Sequence, residues 1–386
     1  MIPTISTIPI AELASGDILS IQVYKFVGAK PGKKAYLQAN LHGAEIVGNA
    51  VISQLIEFLG TLDETQLNGE IWLVPTCNPL GTNQRSHHFS SGRYNPYDGK
   101  DWNRIFWDYE KEGEEISEFA QNNLDLEPSQ IRENYRKQIK NCFDRVVAKQ
   151  EKPSSVSFSD RYRYRLQALC LDADYVIDLH SSTNQSIDYL YCFQGQEESA
   201  RYFLLDSSIL FNEYDGQAFD EAFLKAWLAL EAEFEKLGKS VKLDVESWTV
   251  ELGSGMQINP DSVFRGVRGI KNYLSYKKIL DIPGFPLYQS LSQKLEFTPK
   301  SQVKGYYASR GGMIRSRVDL GTHIQAGQLL YQILCFNKTG RLPEIIDVFA
   351  EASGRVFQVS TNHAVNEGEY VLGVMELSHN ATSDRL

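Results

Sequence analysis

Short β-rich runs alternate with helical patterns through about the first 290 residues of this 386-residue chain. Between two of the runs, Ala44 to Leu59 carries apolar residues at helical spacing. Strands separated by helices bury both faces of a sheet, so the order predicts an α/β fold with a mixed or mostly parallel sheet flanked by helices. The runs predicted to be strands are Ile18–Val27, Lys34–Leu41, Glu70–Pro75, Asp174–Leu179 and Trp248–Leu252.

Two regions depart from this alternation. Residues 105–170 are rich in charged and amide side chains and have helical spacing, which predicts a helical insertion whose charge is mainly a solvated face. After about residue 290, short alternating runs are separated by glycine-containing turns, which is typical of an all-β module. We therefore expect a domain at 1–290 that contains the insertion, and a smaller C-terminal all-β domain at 291–386.

Composition limits the partners and the cell compartment. The net charge of −10 argues against nucleic acid or an anionic membrane surface. No run approaches about 20 apolar residues, and the N-terminus lacks the pattern of a signal peptide. Five scattered cysteines, never in CxxC spacing, indicate reduced thiols. We expect a cytoplasmic protein with a small-molecule substrate; whether it forms a homo-oligomer is left open.

Three residues have the types and positions of metal ligands. His42 and Glu45 lie three residues apart, just past the second predicted strand, and His180 ends the strand that begins near Asp174. Ligands of α/β sheets collect at the carboxyl ends of strands, so these side chains are expected to meet. Two histidines and one glutamate form a ligand set of catalytic zinc sites, which predicts one zinc ion.

Amide hydrolysis at such a site also needs a general base. Glu251 is the preferred candidate, because it follows a β-rich run and precedes the glycine-containing turn that starts at Gly253. Glu246 is the rival, although its flanks look less like the end of a strand.

The segment from Gly92 to Phe106 supplies candidate substrate contacts. Arg104 carries a planar guanidinium suited to a carboxylate, and Asn103 adds amide donors. Asp101 can accept a hydrogen bond from the outer ring nitrogen of the first histidine ligand. Arg93 or Arg85 would supply a second cation.

Five motifs together resemble the succinylglutamate desuccinylase/aspartoacylase family, a branch of the zinc carboxypeptidase superfamily. The resemblance covers roughly residues 35–290, and the C-terminal β module is similar to the small β domain of these proteins. The motifs are Asn40-Leu-His-Gly-Ala-Glu45, Asn78-Pro-Leu-Gly81, Asp101-Trp-Asn-Arg104, Asp178-Leu-His-Ser-Ser182 and Thr249-Val-Glu-Leu-Gly253.

The resemblance implies a zinc carboxypeptidase-like sheet flanked by helices and the hydrolysis of an amide near a carboxylate. For the family's other arginine, Arg93 fits the pattern best, and Arg85 is the alternative. The implied roles are zinc binding by His42, Glu45 and His180, general base and acid chemistry by Glu251, carboxylate binding by Asn103 and Arg104, and orientation of His42 by Asp101.

The expected function is a zinc-dependent amidohydrolase that removes the acyl group of an N-acyl amino acid or a related small carboxylate. A carboxypeptidase acting on peptide C-termini is the first alternative. A binding or carrier protein modified at Lys338 is the second, although that lysine lacks the flanking residues of an attachment site. Tyr189 and Tyr191 are candidate pocket residues, and His87-His88 is a further candidate for substrate contact.

Overall fold

The computed structural model describes residues 1–86, 90–112, 116–213, 217–287 and 295–377. The strands in chain order are β1 (Thr4–Glu12), β2 (Ile18–Val27), β3 (Lys30–Ala39), β4 (Asn68–Val74), β5 (Tyr175–Ser182), β6 (Gln185–Ser186), β7 (Tyr189–Phe193), β8 (Ser207–Phe211), β9 (Glu246–Ser254), β10 (Glu296–Pro299), β11 (Val303–Tyr307), β12 (Gly312–Arg317), β13 (His323–Ile324), β14 (Leu329–Cys335), β15 (Glu344–Phe349), β16 (Gly354–Val359), β17 (Ala364–Val365) and β18 (Tyr370–Glu376). The α-helices are α1 (Val47–Thr61), α2 (Pro79–Asn83), α3 (Tyr109–Glu112), α4 (Ile116–Asn122), α5 (Pro128–Val147), α6 (Phe158–Gln167), α7 (Glu197–Ala200), α8 (Phe219–Lys236) and α9 (Pro260–Tyr276).

A nine-stranded mixed sheet forms the centre of the molecule, in the order β1-β2-β4-β3-β5-β9-β7-β8-β10. Its central strands β4, β3, β5 and β9 are parallel neighbours, whereas β1, β2 and β7 pair with antiparallel neighbours. Helices α1 and α9 pack on one face, and α6 and α8 contact strands of the same sheet. The predicted mixed α/β fold with additional C-terminal β structure is confirmed.

Burial explains why the middle of the sheet is so apolar in sequence. Every residue of β5 is buried, as expected for a parallel strand covered on both faces. On α1, a stripe that includes Val51, Ile52 and Leu55 faces the sheet. A Cβ at Gly48 would lie 2.8 Å from the Cβ atoms of both Ala39 and Leu179, so this glycine lets the helix lie close on β3 and β5.

The region predicted as a helical insertion contains helices α3 to α6. Its apolar residues, among them Trp107, Tyr135 and Phe143, form a core with Trp227 and Leu230 of α8. The insertion therefore supports α8, whose first turn lies at the candidate site described below.

The C-terminal β region forms two further sheets, β11-β18-β16-β13 and β15-β14-β12-β17. Strand β6 of the preceding region pairs with β16, and β10 belongs to the large sheet through its parallel pairing with β8. The domain boundary at 290/291 stays a prediction. Lys338 is exposed in the loop between β14 and β15.

Two expectations from composition meet the structure directly. All five cysteines are buried and free. Among the helices that the structure describes, none combines the length and the apolar character needed to cross a lipid bilayer.

Candidate active site and metal centre

A tight loop between β3 and α1 presents the first two candidate ligands. Asn40 begins it in the left-handed region, with φ 68°, which asparagine tolerates better than most residues. Its side-chain amide donates to the carbonyl oxygens of His42 and Gly43, at 3.1 and 3.0 Å. Helix α1 begins at Val47 rather than at the predicted Ala44. Both backbone groups of Ala44 are bonded to remote segments, since its N–H donates to the Ser91 carbonyl oxygen and its own carbonyl oxygen accepts the N–H of Met256.

Three glycines allow this loop to meet two neighbouring segments. A Cβ on Gly43 would lie 2.0 Å from the carbonyl oxygen of Gly81, and one on Gly92 would lie 2.2 Å from the same atom. Gly92 also has φ 57°, which favours glycine. The sequence motifs around these glycines are thus explained by close backbone contact at the base of the site.

His42, Glu45 and His180 come together as predicted. The Nδ1 atom of His42 lies 2.9 Å from Glu45 Oε1, and the Nδ1 atom of His180 lies 2.8 Å from Glu45 Oε2. One ligand atom from each residue lies within 4.8 Å of the others, and all three side chains are buried. In the described part of the chain, this is the one group with the composition and spacing of a metal site.

Each histidine is held from behind by an aspartate. The Nε2 atom of His42 is 2.9 Å from Asp101 Oδ1, and the Nε2 atom of His180 is 2.9 Å from Asp178 Oδ2. The carboxylates favour a proton on both Nε2 atoms, which leaves the lone pairs of both Nδ1 atoms to coordinate a metal. The predicted contact of Asp101 is present. Asp178 was missed as a site residue, although it lies only two positions before the candidate ligand His180.

The electrostatics fit a cation between the three ligands. Burial alone would lower the pKa of both imidazoles, but the surrounding carboxylates outweigh it and raise the pKa of each. Burial would raise the pKa of Glu45, yet its two histidine neighbours hold that pKa well below its usual range. An anionic carboxylate between two ring nitrogens matches the donor set of a zinc site.

Replacing Asp178 tests the support of the second histidine. We expect Asp178→Asn to weaken zinc binding about 10–100-fold, because the amide no longer fixes the tautomer of His180. Gln38, which donates to the other oxygen of Asp178 at 3.1 Å, keeps the side chain in place. Competition for Zn²⁺ with a chelating dye measures the affinity, and unchanged affinity in a folded variant would contradict the assignment.

Arg93 lies at the cluster, whereas Arg85 does not line the cavity there. The Arg93 Nε atom is 2.9 Å from Asp101 Oδ2, and one terminal nitrogen is 3.8 Å from Glu45 Oε1. Arg85 instead donates to the carbonyl oxygens of Thr82 and Gln84, both at 2.8 Å. Asp101 therefore joins a candidate metal ligand to a guanidinium, which makes Arg93 the better placed cation.

Glu246 is the first residue of β9, whereas its rival Glu251 lies in the C-terminal half of the strand. Glu251 pairs with His180 across the sheet and lines the same cavity as the three ligands. Burial, then the negative charge of Glu45, raises the pKa of Glu251 to about 7. Glu246 is bound by Lys277 at 2.5 Å and by Tyr273 at 2.7 Å. Only Glu251 is thus placed to act on a molecule in the cavity.

A cavity of about 880 Å³ opens over the cluster and has the size of a small-molecule site. Asn103, Arg104, Tyr189 and Tyr191, all named from the sequence, line it. The side-chain oxygen of Asn103 accepts the backbone N–H of Phe219 at 2.8 Å, so its amide nitrogen is the part left for a ligand. His87-His88 lies outside the described residues.

Asp220 also lines the cavity and was not predicted. It lies in the first turn of α8, is 4 % exposed and accepts a hydrogen bond from Thr249. Burial, then the nearby charge of Asp178, raises the pKa of Asp220 to about 6. A single aspartate outside any of the recognised motifs gives no sequence signal of such a position, because only the tertiary contacts bury it.

The raised pKa predicts a pH-dependent cost to stability. The folded protein holds the Asp220 proton up to about pH 6, whereas an unfolded aspartate loses it near pH 4. Stability from this group is therefore complete below pH 4 and is lost as pH rises through 6. Relative to Asp220→Asn, the wild type should lose about 1 kcal/mol of unfolding free energy between pH 5 and 7. Urea unfolding of both proteins at the two pH values measures it, and parallel changes would contradict the assignment.

The sequence model of the succinylglutamate desuccinylase/aspartoacylase catalytic domain matches residues 31–277. A comparison with curated proteins finds no match. Among solved structures, a protein of that family from Shewanella amazonensis has a TM-score of 0.85 and 30% identity, covering 96% of this chain and 98% of its own. Another from Shewanella frigidimarina has a TM-score of 0.86 and 28% identity, covering 97% of each chain.

A more distant likeness concerns the fold alone. The product-bound ectoine utilization protein EutE (DoeB) of Ruegeria pomeroyi has a TM-score of 0.65 and 17% identity, covering 97% of this chain and 95% of its own. The family match extends over more than half of the chain, and the structural match to the Shewanella amazonensis protein spans nearly all of it. This chain belongs to the succinylglutamate desuccinylase/aspartoacylase family.

Proposed function

We propose that this protein is a zinc-dependent amidohydrolase that removes the acyl group of an N-acyl amino acid or a related small carboxylate. The observation that carries the proposal is one cavity lined by the His42, Glu45 and His180 cluster, by a carboxylate with a raised pKa and by Arg104. These are a metal site, a base and an anion anchor, which metal-assisted hydrolysis requires.

The three clustered side chains would hold the metal, with Asp101 and Asp178 fixing the two imidazoles. When bound, zinc supplies Lewis acidity that polarises a carbonyl and makes water more acidic. Because both outer ring nitrogens are hydrogen bonded to aspartates, the rings need no reorientation when substrate arrives.

Glu251 would move the proton. Its carboxylate accepts a proton from the water that attacks the amide carbon, and then donates that proton to the departing nitrogen as the carbon–nitrogen bond breaks. A pKa raised to about 7 suits both directions of transfer near neutral pH.

Arg93 would stabilise the negative charge that develops on the amide oxygen. Its guanidinium is already held by Asp101, so little reorganisation is needed in the transition state. Arg104 and the Asn103 amide nitrogen would bind the substrate carboxylate, which orients the amide toward the cluster.

The cellular setting follows the same reasoning. Five buried free cysteines agree with a reducing compartment, and we place the protein in the cytoplasm with a small molecule as its substrate.

Hydrolysis of a substrate panel tests the proposal. Zinc-loaded protein is given N-acetyl and N-succinyl amino acids beside short peptides of matched C-terminal residue, and amine release is followed by liquid chromatography. We expect the N-acyl amino acids to be hydrolysed with the greater kcat/KM. Release of a C-terminal residue from peptides alone would make the protein a carboxypeptidase and overturn the proposal.

A further inference from the structure

We propose that Asp220 binds a protonated amino group of the substrate, so that the substrate is an N-acylated diamino acid. The inference rests on the amidohydrolase proposed above and names the class of amine that it releases. It concerns a carboxylate that the proposed chemistry leaves without a task.

The position of Asp220 places it beside the reacting groups. Its carboxylate accepts a hydrogen bond from Thr249, which precedes Glu251 by two residues on β9. Because side chains two apart on a strand leave the same face of the sheet, Thr249 and Glu251 point toward the same side. Asp220 is therefore held above the strand that carries the candidate base.

Asp220 also lies beside the candidate carboxylate anchor. The backbone N–H of Phe219, its neighbour in sequence, donates to Asn103 at 2.8 Å. Burial raises the pKa of Tyr191, the charge of Asp220 raises it further, and the charge of Arg104 lowers it, so both charged groups act on this hydroxyl. A ligand that reaches Arg104 with a carboxylate thus has a second, oppositely charged contact at hand.

The protein itself supplies no cationic partner for this carboxylate among the residues that the structure describes. Asp220 forms no salt bridge there, whereas Arg93 is held by Asp101. The charges that act on Asp220 come from Asp178, which repels it, and from His180. A buried carboxylate without a cation is costly, and a ligand ammonium would offset that cost through a charge-assisted hydrogen bond.

The charge of the whole cavity favours the same substrate class. When all five carboxyl groups of the lining are ionised, they balance its three cationic side chains together with one divalent metal, so the lining has no net positive charge with which to attract a dianion. A substrate with one carboxylate and one ammonium matches both signs of charge. The cationic lining residues are Arg93, Arg104 and Lys300, and the carboxyl ones are Glu45, Glu213, Asp220, Glu221 and Glu251.

Isosteric substrate pairs test the inference on the zinc-loaded protein. Nα-acetylornithine is paired with Nα-acetylnorleucine, and Nδ-acetylornithine with 5-acetamidopentanoate; each pair differs mainly in an ammonium group. In at least one pair we expect kcat/KM to favour the amine by about tenfold or more, as expected for a hydrogen bond to a charged group. No preference in either pair, or faster hydrolysis of Nα-acetylglutamate than of both amines, would overturn it.

Asp220→Asn assigns the preference to this residue. In that variant the kcat/KM ratio within the preferred pair should fall to about one. Glu235→Gln is the matched control, since it removes one charge from an exposed position of the same helix, away from the cavity, and it should keep the ratio. A ratio unchanged in Asp220→Asn, or lost equally in Glu235→Gln, would contradict the assignment to Asp220. Thermal melting confirms that both variants are folded.

A binding measurement separates the two proposals. If no N-acyl compound is hydrolysed, the amidohydrolase proposal fails, and calorimetry with ornithine, norleucine and 5-aminopentanoate still decides the role of Asp220. Norleucine lacks the side-chain ammonium of ornithine, and 5-aminopentanoate lacks its α-ammonium. Wild-type protein should bind ornithine about tenfold more tightly than at least one of the two, and Asp220→Asn should lose that difference. Equal binding of all three by the wild type would overturn the inference even if hydrolysis were observed.

Discussion

Glu251→Gln should lower kcat/KM for an N-acyl amino acid by about 10²–10⁴-fold, the usual effect of losing a general acid–base group. The amide has nearly the same shape but cannot accept the proton of the attacking water. Since Glu251 is not among the three clustered ligands, the variant should retain its zinc. Hydrolysis rates and metal content on the same preparation measure both effects.

Glu246→Gln is the control for this prediction, because it lies on the same strand and was the rival base. Its carboxylate binds Lys277 and Tyr273 rather than lining the cavity. We expect a lower melting temperature with kcat retained at a temperature where the variant is folded. Full activity of Glu251→Gln would refute the assigned base, as would a comparable loss of kcat in folded Glu246→Gln.

The second large effect is expected from Glu45→Gln. Its two oxygens lie 2.9 and 2.8 Å from the ring nitrogens of His42 and His180, so it contributes the negative charge of the ligand set. Loss of an aspartate that supports a histidine ligand is expected to weaken zinc binding about 10–100-fold. Loss of Glu45 should weaken zinc binding by more than this, and the rate of hydrolysis should fall with the affinity. Isothermal titration with Zn²⁺ measures the affinity.

Glu57→Gln provides a matched control on the neighbouring helix α1, where its side chain is exposed. It removes the same charge without touching the cavity, and we expect wild-type affinity and activity. If Glu45→Gln and Glu57→Gln bind zinc equally well, the cluster is not the metal site.

The sequence predicted the sheet well because burial dominates its central strands. The predicted strand Ile18–Val27 coincides with β2. The predicted strand Asp174–Leu179 starts one residue before β5 starts and stops three residues before β5 ends. Periodicity located α1 as well, but not its start, since the loop before it is fixed by contacts with Ser91 and Gly92 that are remote in sequence.

The candidate site was predictable where motifs carry it. His42, Glu45 and His180 meet as expected, and Asp101 contacts the first of them. Asp178 could have been found by extending to His180 the reasoning applied to Asp101. Asp220 could not, because its burial depends on the packing of α8 over the sheet.

The roles assigned to Glu251, Arg93, Asn103 and Arg104 remain predictions that rest on their shared cavity. The sequence pattern favours Arg93 and leaves Arg85 as an alternative, and the different partners of the two side chains separate them in the structure. Distances across a loop decide such cases, and no spacing rule supplies them.

Titration of metal-free protein with Zn²⁺ during hydrolysis of an N-acyl amino acid tests the central claim most directly. Activity should be absent without metal, rise linearly with added zinc and reach a plateau at one equivalent per chain, since the three ligands form a single site. Hydrolysis that is undiminished in the metal-free protein, or that does not respond to zinc, would contradict the claim.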